Sequence, residues 1–166
     1  MQTNEQLLSA IENYLAQTEF PAEPELLYAP IGYSLAGGGK RLRPMLLMLS
    51  NGIFTDKIQH ALPAAAAVEV FHNFTLLHDD IMDNSDTRRG RPSAHKRFET
   101  LHREGAWLGN PLGFGQSAAL LLGDLLLSWS DELFDGALRS LESRDASAAA
   151  RVEFNLMRTE VTVGQY

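Results

Sequence analysis

Apolar residues recur along most of this chain with the spacing of an α-helix. The first segment shows the pattern clearly, because Leu7, Ile11 and Leu15 fall on one face of a predicted helix. Thr3 and Gln6 match a capping box, which marks the N-terminus of a helix. No segment shows the strict alternation of apolar and polar residues that is typical of a half-buried strand. The pattern therefore predicts an all-α fold.

Glycine and proline residues divide the rest of the chain into further predicted helices. Three consecutive glycines, residues 37–39, should end the second helix, because glycine loses more conformational freedom on folding than any other residue. Pro44 and Pro63 each stand where the first turn of a helix tolerates proline. A Gly-rich connection is expected after the fifth helix, and no linker divides the chain. We expect a single domain over residues 1–166, with helices over about 3–17, 24–36, 44 onward, 61–84, 93–102, 117–138 and 145 to the end.

Composition places the chain among globular proteins. Hydrophobic residues make up 45% and charged residues 21%, which excludes a disordered or fibrous chain. The absence of cysteine excludes a disulfide framework and a thiolate nucleophile, and it favours a cytoplasmic location. The net charge of −7 weighs against non-specific nucleic-acid binding. The longest uncharged stretch, residues 105–123, is rich in glycine, so we expect no membrane span.

One predicted helix combines an apolar body with a stripe of polar side chains. His72, Asp79 and Asp83 share a helical face, and Glu69 lies one turn earlier. Two aspartates four residues apart repel each other, and the negative end of the helix dipole lies close to both of them. A cationic partner is therefore required.

Two cationic partners are possible for these aspartates. Carboxylate oxygens suit Mg²⁺, which keeps several waters and is commonly held by one or two carboxylates together with substrate phosphates. The other candidate is the run Arg88-Arg89-Gly90-Arg91 that follows the helix. The two are complementary, because arginine also binds phosphate in a bidentate manner. A solvent-exposed acidic helix end that pairs with the arginines is the simpler alternative.

A second basic segment, GGGKRLRP, lies between the second and third predicted helices. Lys40 and Arg43 are three residues apart beside a helix N-terminus, where backbone amides and cationic side chains can bind an anion such as phosphate. The spacing does not match the nucleotide P-loop. Alone, the segment is more often a plain loop that leads into a helix. Its importance comes from its combination with the acidic helix.

Three motifs in this order closely resemble those of the trans-isoprenyl diphosphate synthases, the polyprenyl synthetase family that includes geranylgeranyl and farnesyl diphosphate synthases. They are GGGKRLRP, FHNFTLLHDDIMD and NSDTRRGRPSAH, and the likeness runs from about Leu26 to Gln165. The resemblance implies an isoprenoid-synthase helical bundle, of which this chain would be about the N-terminal half. It also implies a prenyltransferase of isoprenoid biosynthesis that condenses isopentenyl diphosphate with an allylic diphosphate by Mg²⁺-assisted ionisation and head-to-tail elongation.

The resemblance assigns one group of residues to isopentenyl diphosphate. Lys40, Arg43 and His72 would hold this substrate, and Arg89 would contact it as well. These residues come from all three motifs. The resemblance therefore predicts that the three motifs meet at one site.

The resemblance assigns a second group to the allylic diphosphate. Asp79 and Asp83 of the first aspartate-rich motif would bind the Mg²⁺ that bridges this substrate, with Asp80 in support. Arg88 would contact the allylic diphosphate directly. Mg²⁺ and arginine would then stabilise the charge of the departing pyrophosphate.

Product length in this family is set by side chains upstream of the first aspartates. The fifth residue before Asp79 is Phe74 and the fourth is Thr75, and DDIMD contains no insertion. By resemblance this predicts a medium-chain product such as geranylgeranyl diphosphate, although Phe74 as a plain core residue is the simpler alternative. Homodimers are usual in the family, so we also expect a homo-oligomer, most simply a dimer.

The family pattern includes a second aspartate-rich motif preceded by a Lys-Thr pair. Neither occurs in these 166 residues, since Glu153 and Glu160 are the only acidic residues after Asp145. We therefore expect that this chain alone has little or no prenyltransferase activity.

Other classes of protein remain open at this point. Metal-dependent phosphohydrolases and terpene cyclases also carry DDxxD motifs, although the GGGKRLRP segment argues against a cyclase, which does not bind isopentenyl diphosphate. A non-catalytic helical subunit of a heteromeric prenyl diphosphate synthase is a further alternative. The intact residues Asp79, Asp83, Arg88 and Arg89 make a degenerate subunit less favoured.

Overall fold

A computed structural model describes residues 3–18, 24–35 and 39–166 of the chain. Within these ranges the secondary structure consists of seven α-helices, one short 3₁₀ helix and one two-stranded hairpin, which confirms the all-α prediction. The α-helices are α1 (Asn4–Ala16), α2 (Glu25–Leu35), α3 (Leu42–Phe54), α4 (Leu62–Met82), α5 (Ala94–Glu104), α6 (Pro111–Arg139) and α7 (Arg144–Gln165). The 3₁₀ helix spans Ile58–Ala61, and β1 (Thr87–Arg88) pairs antiparallel with β2 (Arg91–Pro92).

Local capping signals set the helix boundaries. The predicted capping box of α1 is present, because the Thr3 side chain accepts from the backbone of Gln6 and the Gln6 side chain accepts in return. The predicted Gly-rich connection after α5 is wrong for most of its length, because α6 already begins at Pro111. The Asn110 side chain caps α6 by accepting from the backbone of Leu112 at 3.1 Å, and proline suits the first position of a helix.

The start of α3 at Leu42 places Pro44 in the first helical turn, as the sequence predicts. Arg41 stands before the helix in a left-handed conformation with φ of +46°. The predicted end of the second helix, including Gly37 and Gly38, lies outside the described residues.

The hydrophobic core surrounds α4, which packs against α1, α3 and α6. Ala65, Ala66 and Ala67 are fully buried, and such small side chains allow neighbouring helices to approach α4 closely. The large side chains that fill the remaining space come from several helices: Leu7, Ile11, Ile31, Met48, Val70, Leu77, Leu122 and Leu126. This packing fixes α4, the helix with the acidic motif, at the centre of the fold.

Two glycines of α6 lie where other elements approach it. A Cβ atom on Gly115 would overlap the backbone oxygen of His95 in α5. A Cβ atom on Gly123 would overlap the imidazole of His78 in α4, which lies with Nε2 3.1 Å from the backbone oxygen of Leu120. These glycines therefore lie within a helix and allow α5 and α4 to pack closely against it.

The last helix, α7, docks onto α6 through one aromatic pair and a group of ion pairs. Phe154 stacks on Phe134 with ring centroids 3.9 Å apart. Arg151 and Arg158 each lie 2.8 Å from the same carboxylate oxygen of Asp131. These contacts hold α7 against α6.

Among the described helices, α6 is long and apolar enough to cross a membrane, with a mean hydropathy of 1.2 over its most apolar window. Length and composition alone define that match, and a core helix of a globular protein meets the same criteria. In this fold α6 packs along α4 and α5.

Candidate functional site

The polar residues of α4 form two stripes rather than the single stripe that the sequence indicates. The inner stripe consists of Glu69, Asn73 and Asp80, which are all at least 95% buried. The outer stripe consists of His72, Asp79 and Asp83, which are partly or fully accessible. Burial of a carboxylate is costly unless a cation or hydrogen bonds compensate it. Each acidic residue of the inner stripe accordingly has an arginine partner.

Arg41 is the partner of Glu69, a role that the sequence analysis does not predict. Its guanidinium pairs with the Glu69 carboxylate and also donates to the backbone oxygen of Leu35 at the end of α2. Asn73 completes the group by donating to Glu69 Oε1 at 3.2 Å. Arg41 thereby links α2, α3 and α4 directly beneath the basic segment.

Arg43 and His72 lie in contact close to this buried group. Arg43 Nη1 lies 3.2 Å from His72 Nε2. Burial and the positive charges of Arg43, Arg89 and Arg88 lower the pKa of His72, although Glu69 opposes this shift. His72 is therefore neutral at pH 7, and its Nε2 can accept a hydrogen bond from Arg43.

The hairpin that follows α4 carries Arg88 and Arg89 to the site. Its two-residue turn consists of Arg89 and Gly90, which have φ of +53° and +74°. Positive φ at both central residues is the requirement of a type I′ turn, which matches the twist of paired strands. The chain therefore reverses abruptly and presents the two adjacent arginines close to the end of α4.

Arg88 is the cation that compensates the aspartates at the end of α4. Its Nε lies 2.9 Å from both carboxylate oxygens of Asp80, and its Nη2 lies 2.8 Å from Asp79 Oδ2. The hydrogen bond to Asp80 is the main reason that the pKa of Arg88 is raised. Asp79 also accepts from Gln165 Nε2 at 3.0 Å, which brings the end of α7 to the same carboxylate.

Arg89 brings the hairpin to the glycine segment. A Cβ atom on Gly39 would lie 2.9 Å from Arg89 Nη1, so a larger residue would require this guanidinium to shift. Gly39 also has φ of +149°, which side chains rarely adopt. Lys40 follows directly and is exposed. The structure thus brings the three sequence motifs together around His72.

Several cations around the site have no acidic partner. Among residues 3–18, 24–35 and 39–166, no carboxylate forms an ion pair with any of them: Lys40, Arg43, Arg89, Arg91 and Arg97. Clustered cations without partners repel one another, so a bound polyanion would stabilise them. The arrangement is suited to phosphate groups.

Asp79 and Asp83 offer carboxylate oxygens to a hard cation beside these arginines. They lie one helical turn apart, and the Asp83 side chain is exposed at the C-terminal end of α4. No group of three or more acidic or histidine ligands occurs within the described part of the chain. One exposed carboxylate and one partly accessible carboxylate fit Mg²⁺, which retains waters and takes further oxygens from a phosphate ligand.

Phe74 and Thr75 do not line the pocket between α2, α4 and the hairpin, whose lining includes Tyr33, Asp80 and Arg88. The Phe74 ring lies 5.5 Å from that of Phe71 and 4.7 Å from that of His78, and Thr75 donates to the backbone oxygen of His72 at 2.8 Å. Phe74 borders an open groove between α4, α6 and α7, whose other lining residues are Phe71, Leu127, Asn155, Arg158, Thr159, Thr162 and Val163. Thr75 does not line this groove.

Three other histidines occupy packing positions. His78 fits against Gly123. His95 is buried with Nδ1 3.2 Å from Ser93 Oγ, and burial lowers its pKa. His102 is buried beside Trp107 and Phe114.

Comparisons of sequence and of fold with known proteins both match this chain to polyprenyl diphosphate synthases. The polyprenyl synthetase family model matches residues 24–164. A geranylgeranyl diphosphate synthase of Methanosarcina mazei is 40% identical over 125 residues, which cover 75% of this chain and 32% of the relative. A crystal structure of a geranylgeranyl pyrophosphate synthase superposes with a TM-score of 0.80 at 35% identity, covering 99% of this chain and 44% of that one. The synthase of Corynebacterium glutamicum, complexed with isoprenyl diphosphate and magnesium, gives a TM-score of 0.71 at 32% identity, with 98% and 48% covered.

The fold and the site define a helical bundle of the isoprenoid synthase type, with carboxylates and unpaired arginines at the end of its central helix. The chain belongs to the polyprenyl synthetase family. It spans about a third of the length of the curated relatives it matches and less than half of the solved structures named above.

Proposed function

We propose that this chain supplies the diphosphate-binding part of a trans-prenyltransferase that joins isopentenyl diphosphate to an allylic diphosphate. The observation that carries the proposal is that Arg43 and Arg89, which have no acidic partner in the described ranges, lie near His72 on the helix that ends with Asp79 and Asp83. Two diphosphates need many cationic contacts, and ionisation of one of them needs a stabilised leaving group. The site offers both within one small region.

The isopentenyl diphosphate is proposed to bind between the glycine segment and the hairpin. Arg43 contacts His72, Arg89 lies beside Gly39 and close enough to His72 to lower its pKa, and Lys40 belongs to the glycine segment. Arginine forks match phosphate oxygens in a bidentate manner, whereas neutral His72 can donate one hydrogen bond without repelling the arginines.

The allylic diphosphate is proposed to bind above Asp79 and Asp83. These two aspartates would hold Mg²⁺, which supplies charge neutralisation to the departing pyrophosphate when it is bound. Arg88 contributes a fixed positive charge at the same place, and buried Asp80 orients Arg88 through both of its oxygens. Asp80 thus acts by holding Arg88 in position.

The remaining chemistry needs little from the protein. Loss of pyrophosphate leaves an allylic carbocation, the double bond of isopentenyl diphosphate attacks it, and a proton is then lost to the pyrophosphate. Apolar side chains such as Phe74 exclude water that would otherwise quench the cation. This sequence of steps requires no nucleophile and no general base from the protein.

The specific product and assembly belong to the same proposal. The groove beside Phe74 would receive the growing tail, and we propose a medium-chain product such as geranylgeranyl diphosphate, since several relatives carry that name. We also propose a homodimer and a cytoplasmic location. These 166 residues alone are proposed to show little or no turnover, because they contain only one aspartate-rich motif. A normal rate with radiolabelled isopentenyl diphosphate would refute that last statement.

Calorimetric titration of the chain with inorganic pyrophosphate, with and without Mg²⁺, tests the binding function. We expect binding that Mg²⁺ strengthens, and a roughly tenfold weaker affinity in Arg43→Ala or Arg89→Ala, since a charge-assisted hydrogen bond contributes about 1.5–3 kcal/mol. Asp79→Asn with Asp83→Asn should abolish the effect of Mg²⁺. Lys57→Ala, which removes an exposed cation elsewhere on the surface, is the matched control.

A non-catalytic helical subunit is the alternative that this titration separates. Such a subunit needs no diphosphate site, so it would bind neither Mg²⁺ nor pyrophosphate. Absence of binding by the wild-type chain would therefore contradict the proposed function and favour the subunit.

A further inference from the structure

The hairpin that carries Arg88 and Arg89 is too small to hold its own position. Each strand has two residues, and the pairs Thr87–Pro92 and Arg88–Arg91 make up the whole ladder. One more backbone hydrogen bond, from Ser93 to Asp86 at 3.0 Å, closes its base. An isolated two-stranded hairpin is at best marginally stable in water. Contacts with the helices must therefore fix it.

One of these contacts lies on β1 and depends on the carboxylates of α4. Arg88 binds Asp80 and Asp79 at distances of 2.8–2.9 Å. Asp79 is also a proposed ligand of Mg²⁺, and a carboxylate oxygen that coordinates a metal ion accepts a weaker hydrogen bond from a guanidinium. The contact that holds β1 therefore depends partly on a carboxylate that is also a proposed metal ligand.

A second contact lies on β2 and involves no proposed ligand. The hydroxyl of Tyr33 in α2 donates to the backbone oxygen of Pro92 at 3.0 Å. The guanidinium carbon of Arg91 lies 4.1 Å from the centroid of the Tyr33 ring, and that of Arg97 in α5 lies 3.6 Å from it. Both distances are well inside the range of a cation–π interaction. One aromatic ring therefore joins α2, β2 and α5.

The Tyr33 ring also explains how Arg91 and Arg97 can both lie beside it without an acidic partner in the described ranges. Neither Arg91 nor Arg97 forms an ion pair with a carboxylate in the described ranges. A carboxylate in place of Tyr33 would neutralise them, whereas the ring orients them and leaves their full charge. The hairpin thus stays docked and the site stays positive.

We infer that Tyr33 is a positioning residue for the hairpin proposed to bind diphosphate, which it holds through Pro92 and Arg91 independently of the carboxylates proposed to bind metal. This inference rests on the proposed function, because the hairpin matters to binding only if Arg88 and Arg89 contact a diphosphate. Tyr33 itself contacts neither the metal ligands nor His72 among the interactions of the described residues.

Two measurements on Tyr33→Leu and Tyr33→Phe test the inference. Amide hydrogen exchange over residues 86–93 reports the docking of the hairpin, and calorimetric titration with inorganic pyrophosphate and Mg²⁺ reports its consequence. We expect Tyr33→Leu to exchange faster in that segment and to bind pyrophosphate about tenfold more weakly, since a well-ordered cation–π contact accounts for roughly that factor. Tyr33→Phe keeps the ring and loses the bond to Pro92, so its affinity should fall only about threefold. Leu26→Ala, an exposed position on the same helix, is the control and should match the wild type.

The outcomes separate this inference from the function on which it rests. Wild-type exchange or wild-type affinity in Tyr33→Leu would overturn the positioning role. If Arg89→Ala weakens binding and Tyr33→Leu does not, only this inference fails. If the wild-type chain does not bind pyrophosphate, the proposed function fails and the positioning role fails with it. Should Tyr33→Leu not fold, Tyr33→Phe replaces it, and unchanged exchange in that variant would overturn the bond to Pro92 as an anchor.

Discussion

Arg43 Nη1 lies 3.2 Å from His72 Nε2 at the centre of the site. The pKa of His72 is lowered, so the arginine contacts a neutral imidazole. Burial is the largest cause of the lowered pKa of His72, and three arginines add to it. A protonated His72 would lose its ability to accept from Arg43 and would add one more positive charge to the group. The protonation state of this side chain therefore affects both folding and anion binding.

The first prediction concerns stability as a function of pH. Because the pKa of His72 is lower in the folded protein than the ordinary value of 6.5, the unfolded chain binds more protons as the pH falls below 6.5. The free energy of unfolding should thus decrease between pH 7 and the folded pKa, and His95 should contribute in the same direction. Urea denaturation of the wild type and His72→Gln from pH 7.5 to 5 tests this. His72→Gln should show a smaller decrease, whereas His60→Gln, at an exposed histidine, is the matched control.

The second prediction concerns the buried pair of Arg41 and Glu69. Arg41→Met leaves an unpaired buried carboxylate, which should lower the free energy of unfolding by about 3–5 kcal/mol. Glu69→Leu should also destabilise the protein, because it leaves the Arg41 guanidinium without its acidic partner. The double variant should be more stable than the sum of the two losses predicts, by about 1–3 kcal/mol. A double-mutant cycle in urea measures this coupling, and additive losses would mean that the pair does not interact.

The third prediction concerns the glycines of α6. Gly115→Ala should destabilise the protein by about 1–3 kcal/mol, because the new methyl group meets the backbone of His95 and cannot move away from it. Gly136 lies on the same helix, and a Cβ atom there would come no closer than 3.9 Å to Arg139 Nη2. Gly136→Ala should therefore stabilise the helix by about 0.5–1 kcal/mol. Thermal unfolding of both variants tests the contrast in sign, which equal effects would contradict.

The fourth prediction concerns product length in an intact synthase that contains this chain. Phe74 borders the groove beside α7, and Phe74→Ala should open that groove and lengthen the product by at least one isoprene unit. Mass spectrometry of the products measures the change. Phe54→Ala removes a phenylalanine that is 87% exposed, so it is the matched control. Unchanged products from Phe74→Ala would show that its ring only packs against Phe71 and His78.

The sequence predicted the helices best where local signals and periodicity agree. The capping box of α1 and the long helix α4 are examples, since both follow from residues that are close along the chain. The predicted start of α6 is wrong, because glycine has a low helix propensity and its presence favours a connection over a helix. Gly113 and Gly115 lie within the helix, and the close approach of α5 at Gly115 outweighs the propensity of this residue.

The site could be predicted in its residues but not in their orientation. Glu69 was placed on the accessible stripe, whereas it lies on the inner stripe with Asn73 and Asp80. Arg41 was overlooked because a cation inside a basic motif is expected to face solvent. Arg41 instead has a left-handed backbone conformation, and its side chain is directed into the protein, where it donates to the backbone oxygen of Leu35. No local sequence pattern predicts this inward orientation. The signal that could have found it is Glu69, an acidic residue on an apolar helix that needed a cation.

The unpaired cations of the site also make the molecule electrically asymmetric. The chain carries a net charge of −7, yet several of its positive side chains without acidic partners in the described ranges lie together near the end of α4: Lys40, Arg43, Arg89, Arg91 and Arg97. A polyanion that approaches the protein is repelled by much of the surface and attracted by this one face, so electrostatic steering should orient it before contact. The association rate of pyrophosphate should consequently fall with increasing ionic strength, because salt screens that attraction within about 10 Å at 0.1 M.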